Sequence, residues 1–362
     1  MGILEKIWES NTVYQEPVCF SEDEKGAPIG GKLLSPPAEI IEVRSSDGQT
    51  IYQEGDDYLI EPWGIRRTGA SRIPFLHRDV YCKPFAGQPE TVWVRLPGGQ
   101  QYMEVVPDVY RYQVLVTYRR AGTWDGFMPV SQMYRLKGTE ERLRNGKRLS
   151  LVFYGDSITA GWEASGADER AIDMVDLSEY HVSIHRPPYM PAWAKLVTDE
   201  LKRCYPECTI CKTNRAAGGS TTGWGLENAA KLVNPCSPDL VVLGFGMNSM
   251  QDAPEKYQAE IEGIISAVRK IHPLCEFLLV SPMIPNPEIA GFQDNQLICH
   301  QERLTALCEK YNGVGLAPVH SVFLQMTEYG KHYLELTGNC INHPNDFSVR
   351  VYAQCVLTAL GL

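Results

Sequence analysis

The sequence lacks any long apolar run. The N-terminal stretch MGILEKIWESNTVYQEP mixes charged and apolar residues, so no segment of it is long enough for the core of a signal peptide. No later stretch is long enough to span a membrane.

Basic residues are scattered along the chain. The sequence has 34 Lys and Arg and 44 Asp and Glu, which gives a net charge of -10. Because phosphate backbones are bound by clustered Lys and Arg, we expect no nucleic-acid partner. These features favour a cytoplasmic protein with no membrane partner, and they are compatible with a homo-oligomer.

The eleven cysteines show no paired regularity. In a chain without a signal peptide this favours free thiols over a framework of disulfides. Cys204, Cys208 and Cys211 form the one local cluster, but their spacing is wrong for a simple zinc knuckle and no histidine lies close in sequence. We therefore predict no metal site and no organic cofactor.

The chain divides into two regions of different pattern. Residues 1–136 contain short alternating runs bounded by Pro and Gly, which predict a β-sandwich accessory domain of the jelly-roll type. Residues 137–148 are charged and predict a linker or short helix. From 149 to 362, apolar strands alternate with amphipathic helices, so this region is predicted to be a three-layer α/β domain with a parallel sheet covered on both faces.

Polar signatures follow the apolar strands of the second region, where open parallel sheets bind their ligands. Gly155-Asp156-Ser157 comes directly after the strand LVFY. A serine at this place, beside a glycine that lets the backbone turn, is accessible to a carbonyl substrate. The alternative is that Ser157 only caps the next helix.

Two glycine-containing blocks follow later strands. Gly218-Gly219 comes after TICKT, and Gly246-Met-Asn248 comes after LVVL. Backbone N–H groups at a glycine and the amide of an asparagine are the donors that an oxyanion hole needs, although either block alone could be simple turn chemistry.

A histidine stands just ahead of the last helix, in Asn342-His343-Pro-Asn-Asp346. Asn345 or Asp346 is the expected N-cap of that helix, which fixes His343 in a short loop. Any single histidine is more often structural than catalytic, so His343 matters because of the other blocks.

Together the four blocks resemble the GDSL/SGNH hydrolases, over residues 149–362. The resemblance implies a flavodoxin-like sheet, with Ser157 as nucleophile and His343 as general base. It also implies an oxyanion hole formed by the backbone N–H groups of Ser157 and Gly219 and the side chain of Asn248, and a supporting role for Asp156.

One position departs from the family. The family usually has an Asp three residues before the histidine, whereas this chain has Cys340 there. A thiol is a poor substitute for the carboxylate that fixes the imidazole tautomer. We favour a Ser–His dyad in which a backbone carbonyl orients the ring. Asp346 is the alternative orienting group.

The substrate is predicted less directly. Residues 162–191 form an insertion close to the nucleophile, and its aromatic residues, with His181, His185, Tyr189 and Trp193 near its end, could shape the acyl or alcohol pocket. Trp162 and Trp224 could stack on a sugar ring, although tryptophan more often packs in a core. Three tryptophans in the first region could form a sugar platform or fill the core of the sandwich, and we favour core packing for them: Trp63, Trp93 and Trp124.

The resemblance implies a serine esterase that hydrolyses acetyl esters, with O-acetylated oligosaccharides as the expected substrates. One alternative is a lipid or thioester hydrolase of the same fold. The other is a non-catalytic carbohydrate-binding protein, which the missing Asp would favour and the complete oxyanion blocks disfavour.

Overall fold

The computed structural model describes residues 3–84, 93–95, 101–104, 109–167 and 185–362. Within these ranges the two regions differ as the sequence predicts. The first is built from antiparallel strands and the second from a parallel sheet between helices. The predicted fold class is therefore confirmed.

The described part of the first region contains ten strands and one short α-helix. They are β1 (Thr12–Cys19), β2 (Ser21–Glu22), β3 (Pro28–Ile29), β4 (Pro37–Ser45), β5 (Tyr58–Glu61), β6 (Gly64–Arg67), α1 (Arg78–Tyr81), β7 (Cys82–Pro84), β8 (Trp93–Arg95), β9 (Gln101–Glu104) and β10 (Gln113–Arg120). The longest sheet has the order β1-β10-β4, and a second has the order β7-β9-β8. Every strand pair in them is antiparallel.

The second region begins with a helix inside the predicted linker. Leu143 of this helix and Leu136, the residue just before it, are buried in the same apolar cluster as the sheet, so residues 137–144 pack as part of the α/β region. The helices that follow the first region are α2 (Lys137–Arg144), α3 (Ser157–Ala160), α4 (Trp193–Cys204), α5 (Thr222–Leu232), α6 (Pro254–Arg269), α7 (Leu297–Lys310), α8 (Val319–Glu328), α9 (Tyr333–Leu336) and α10 (Asp346–Ala359).

The parallel sheet of the second region has five strands in the order β12-β11-β13-β14-β15. Their bounds are β11 (Leu149–Gly155), β12 (Ile210–Asn214), β13 (Leu240–Gly244), β14 (Glu276–Val280) and β15 (Val314–Ala317). The first strand in sequence, β11, lies between its two successors β12 and β13. The strand order changes direction at β11, and such a switch point leaves a crevice at the carboxyl ends of the strands, where β11 leads into Ser157.

Strand β11 is buried on both faces, which explains its unbroken apolar sequence. Leu149, Leu151 and Phe153 belong to one apolar cluster, whereas Val152 and Tyr154 belong to the other. Because side chains alternate along a strand, helices must cover both faces of the sheet. The result is the predicted three-layer arrangement.

All eleven cysteines are free thiols, as predicted. In the described part of the chain, no helix combines the length and the apolar composition needed to cross a membrane.

Candidate active site

Ser157 lies at the first position of α3, directly after β11. The turn is fixed by Asp156, whose side chain caps the helix and accepts a hydrogen bond from the backbone N–H of Ile158 at 3.0 Å. Gly155 is required by close packing, because a Cβ there would lie 2.2 Å from the carbonyl oxygen of Gly244. The tight strand-to-helix turn therefore presents the Ser157 hydroxyl at the edge of the sheet.

Asp156 also connects two of the sequence blocks. Its carboxylate accepts backbone hydrogen bonds from Thr159 and from Met247, the residue before Asn248. Burial raises the pKa of Asp156 to about 7, although these N–H groups act in the opposite direction. Asp156 is thus placed to support the turn.

The imidazole of His343 reaches the Ser157 hydroxyl. Its Nε2 lies 2.8 Å from the Oγ of Ser157, across 186 residues of sequence. The loop that carries it is closed by a hydrogen bond from the N–H of Gly338 to the carbonyl of His343 and by the bridge between Thr337 and Pro344. A nucleophile and a base at this separation are arranged for proton transfer.

The other ring nitrogen contacts a side chain that sequence reasoning missed. The Nδ2 of Asn339 lies 2.8 Å from the Nδ1 of His343. We expected a backbone carbonyl there, whereas the structure places the amide of Asn339 against this nitrogen. Sequence reasoning missed Asn339 because it lies four residues before the histidine instead of the usual three. Cys340, the residue between the two positions, adopts a φ of 64°.

Asp346, the alternative orienting group, is directed elsewhere. Its Oδ1 accepts a hydrogen bond from the backbone N–H of Ser165 at 2.8 Å. The N-cap of α10 is Asn345, which accepts from the N–H of Ser348. Asp346 thus bonds Ser165, whereas Asn339 faces the ring of His343, and an orienting role for Asp346 stays a prediction.

Burial lowers the pKa of His343 to about 4. The ring of Trp162 packs beside it, with ring centroids 5.5 Å apart. An imidazole with this pKa is neutral at physiological pH. It can therefore accept a proton, provided that the nitrogen facing Ser157 carries none.

The three expected oxyanion donors lie around the same turn. The Ser157 N–H is at a helix start, where backbone N–H groups lack intrahelical acceptors. Gly219 is exposed and has a φ of 71°, which glycine adopts without strain. The side chain of Asn248 donates to the carbonyl of Ser220 at 3.0 Å, and its second amide hydrogen remains available.

Hydrogen bonds join the blocks that bear these donors. The amide of Asn214 bridges its own loop to α3, because its Oδ1 accepts from Ala216 N–H and its Nδ2 donates to the carbonyl of Thr159. Thr222 and Ser249 are joined through their hydroxyl groups at 3.0 Å. The strand-end loops therefore support one another around Ser157.

The structure places the predicted aromatic residues in different surroundings. Trp162 lies against the site, since a Cβ on Gly218 would fall 2.6 Å from its ring. Trp224 instead packs against Tyr154 beside the apolar core. Trp193 is fully buried and donates to the carbonyl of Ile158. His185 and Tyr189 pack on each other, and His181 lies outside the described residues.

The tryptophans of the first region also differ. Trp124 is buried and packs against Tyr329, as core packing predicts. Trp63 is 42% exposed, so the expectation of core packing was wrong for this residue. The side chain of Trp93 lies outside the described residues.

The first region supports the His343 loop directly. The Nε2 of Gln113, at the start of β10, donates to the carbonyl oxygens of Leu334 and Thr337, both at 2.7 Å. Its Oε1 accepts from the side chain of Asn345 at 3.0 Å. One glutamine therefore connects both ends of the loop that contains Asn339 and His343.

Among the residues that the structure describes, no group of three or more His, Cys, Asp or Glu side chains could hold a metal ion.

Several solved structures are similar to the chain in fold. One is a two-domain esterase active on acetylated mannans, co-crystallised with mannopentaose, at 21% identity and a TM-score of 0.47; the match covers 64% of this chain and 55% of that one. The chain thus spans about half the length of that protein. Another is Axe2, an acetylxylan esterase from Geobacillus stearothermophilus, at 17% identity and a TM-score of 0.45, covering 60% and 94% of the two chains.

A third similar structure is LAE5, an α/β hydrolase from the metagenome of Lake Arreo, Spain. Its identity is 21% and its TM-score 0.44, with coverage of 59% of this chain and 94% of that one. No curated protein matches the chain.

The GDSL-like lipase/acylhydrolase family matches residues 153–347. This segment is more than half of the chain and runs from β11 to the first turn of α10, so it includes all four sequence blocks. The resemblance seen in the sequence is confirmed: the chain belongs to the GDSL-like lipase/acylhydrolase family.

Proposed function

We propose that the protein is a serine esterase that removes acetyl groups from polyhydroxylated alcohols such as oligosaccharides. The observation that carries the proposal is the 2.8 Å contact between the Oγ of Ser157 and the Nε2 of His343, at the edge of the sheet where Gly219 and Asn248 present hydrogen-bond donors.

The mechanism proceeds through an acyl-enzyme. His343 Nε2 takes the proton of Ser157 while Oγ attacks the ester carbonyl, and the carbonyl electron pair moves to oxygen to form the oxyanion. The N–H groups of Ser157 and Gly219 and the amide of Asn248 stabilise that charge. The intermediate collapses, and the alcohol leaves with the proton from Nε2. Water, deprotonated by the same nitrogen, then releases the acid and restores the Ser157 hydroxyl.

The surroundings of the site favour a polar alcohol. Gly219 and Asn248 are exposed, so the oxyanion forms near solvent rather than in an apolar channel. Trp162 lies between the Gly218 turn and the ring of His343, and an indole face suits stacking on a sugar ring. These features support an acetylated sugar over a long-chain lipid or thioester substrate.

The test compares the wild type with Ser157→Ala on 4-nitrophenyl acetate and 4-nitrophenyl decanoate. We expect the wild type to prefer acetate, and the variant to fall to the background rate, a loss of at least roughly 10³-fold where the wild-type rate allows it to be measured. Release of acetate from acetylated xylo- and manno-oligosaccharides, followed by mass spectrometry, tests the alcohol.

The matched control is Ser266→Ala, which removes an exposed hydroxyl on α6 that bonds only its own helix. It should retain full activity. A fluorophosphonate probe should label the wild type and Ser266→Ala but not Ser157→Ala. Unchanged turnover in a folded Ser157→Ala variant would remove the assignment, and a preference for decanoate would favour the lipid hydrolase.

A further inference from the structure

The amide of Asn339 has a fixed orientation. Its Oδ1 accepts hydrogen bonds from three backbone N–H groups, those of Ile341, Asn342 and His343, at 2.9, 3.0 and 3.1 Å. Rotating the amide by half a turn would place an NH₂ group against three N–H donors. The oxygen therefore faces the backbone, and the nitrogen faces the imidazole.

Both hydrogens of that nitrogen are used. One points to the Oδ1 of Asn342 at 3.3 Å, and the other to the Nδ1 of His343 at 2.8 Å. An amide nitrogen donates and does not accept, so Nδ1 must be the acceptor in this pair. A neutral imidazole that accepts at Nδ1 carries its proton on Nε2.

We infer that Asn339 is a positioning residue that holds His343 in its Nε2–H tautomer, so that the resting ring donates to Ser157 instead of accepting its proton. The inference rests on the proposed esterase function and concerns how fast that site works. For the ring to act as a base, its proton must first be exchanged through solvent from Nε2 to Nδ1. Two donors, Nδ1–H and the Asn339 amide, would then face each other across 2.8 Å.

A carboxylate at this position would have the opposite effect. One of its oxygens would keep the three backbone hydrogen bonds, and the other would accept from Nδ1–H, leaving Nε2 unprotonated toward Ser157. Replacement of Asn339 by aspartate exchanges only the NH₂ group of the side chain for an oxygen, so the fold of the loop is retained. The protein as it stands is therefore a restrained esterase whose rate is limited by the tautomer of His343.

The experiment measures kcat/KM on 4-nitrophenyl acetate for the wild type and Asn339→Asp. We expect the variant to be faster by roughly 10²- to 10⁴-fold, the range associated with holding a catalytic histidine in the wrong tautomer. The control is Asn342→Asp, which adds the same charge to the same loop but keeps an acceptor for the Asn339 amide. Its rate should stay within about threefold of the wild type, as is usual for a substitution outside the reacting groups.

The pH profile separates a tautomer effect from improved folding. In the wild type no charged side chain among the described residues contributes to the low pKa of His343, which comes from burial. Glu163, which packs against Gly338, and Asp346 are themselves buried, with raised pKa values. A new carboxylate on Nδ1 stabilises the imidazolium, so the acidic limb of kcat/KM should move to higher pH in Asn339→Asp.

Nitrogen-15 NMR of the imidazole reads the tautomer without any substrate. The wild type should show the proton on Nε2, and Asn339→Asp should show it on Nδ1. A wild-type ring protonated on Nδ1 would overturn the inference. So would a folded Asn339→Asp variant with no gain in rate, or an equal gain in Asn342→Asp.

Failure of the proposed esterase function would give a different result from failure of the tautomer inference. If neither the wild type nor Asn339→Asp hydrolyses any ester or reacts with a fluorophosphonate, while NMR shows the expected tautomers, then the esterase proposal fails and the role of Asn339 in fixing the ring is supported.

Discussion

The two halves of the site are held in place in different ways. The Ser157 turn is fixed within the parallel-sheet region: Asp156 caps it, Thr159 donates to the carbonyl of Gly244, and Trp193 donates to Ile158. The His343 loop is held by bonds within its own region and also from outside it, because Gln113 of β10 bonds Leu334, Thr337 and Asn345. Ser157 is thus held by the parallel-sheet region, whereas the His343 loop depends in part on the first region.

A buried ion cluster extends this dependence. The Nζ of Lys331 lies 3.0 Å from the carboxylate of Glu16 on β1 and 3.2 Å from that of Glu335 on α9, and all three side chains are almost completely buried. Burial by itself lowers the pKa of Lys331, but the two carboxylates outweigh it and the pKa is raised. Lys331 also donates to the carbonyl of Pro17. The first region is therefore bonded to α9, the helix that leads into the His343 loop.

Lys331→Met is expected to have the largest effect on stability. It leaves two buried carboxylates without their cation, and breaking a buried pair in this way costs about 3–5 kcal/mol. Urea unfolding of the full chain measures the loss. The control is Lys195→Met, which removes an exposed pair with Asp199 and should cost less than about 1 kcal/mol. Equal stabilities of the two variants would mean that the first region adds little to the His343 side.

Gln113→Leu tests the support of the loop more directly. The substitution leaves the buried carbonyls of Leu334 and Thr337 without their donor, at a cost of about 1–3 kcal/mol for an unsatisfied group. Because the loop carries His343, we expect kcat to fall more than KM changes. The measurement is steady-state kinetics with a parallel thermal melt, and Gln49→Leu, on an exposed turn, is the control. An unchanged kcat would show that the loop holds His343 without β10.

Asp346→Asn should have the smallest effect. The amide oxygen of the substituted side chain can still accept from the backbone N–H of Ser165, and the orienting position beside His343 belongs to Asn339. We expect kcat to change by less than about tenfold, since no reacting group is lost. A loss of several orders of magnitude would restore Asp346 as the group that orients the ring.

Much of the fold was predictable because its signals are local. The apolar run of β11 indicated a strand covered on both faces, and the amphipathic segments after it indicated the helices. The blocks around Ser157, Gly219 and Asn248 each follow a strand, so the rule that ligands bind at the carboxyl ends of parallel strands was enough to bring them together.

The orienting group of His343 could not be predicted in the same way. Sequence spacing directed attention to Cys340 and Asp346, whereas the loop folds so that Asn339 faces the ring. The orientation of that amide depends on three backbone N–H groups that converge only when the loop is closed. Trp224 and Trp63 illustrate the same limit, because exposure of an aromatic side chain depends on what packs over it.

The sequence by itself determined the order of strands and helices, the position of Ser157 after β11 and the family, because these follow from hydrophobic periodicity and short motifs. The tertiary structure decided which side chain meets Nδ1 of His343 and which distant residues hold that loop. Gln113 and Asn345 are 232 residues apart in sequence, and contacts of that kind leave no periodic pattern in the chain.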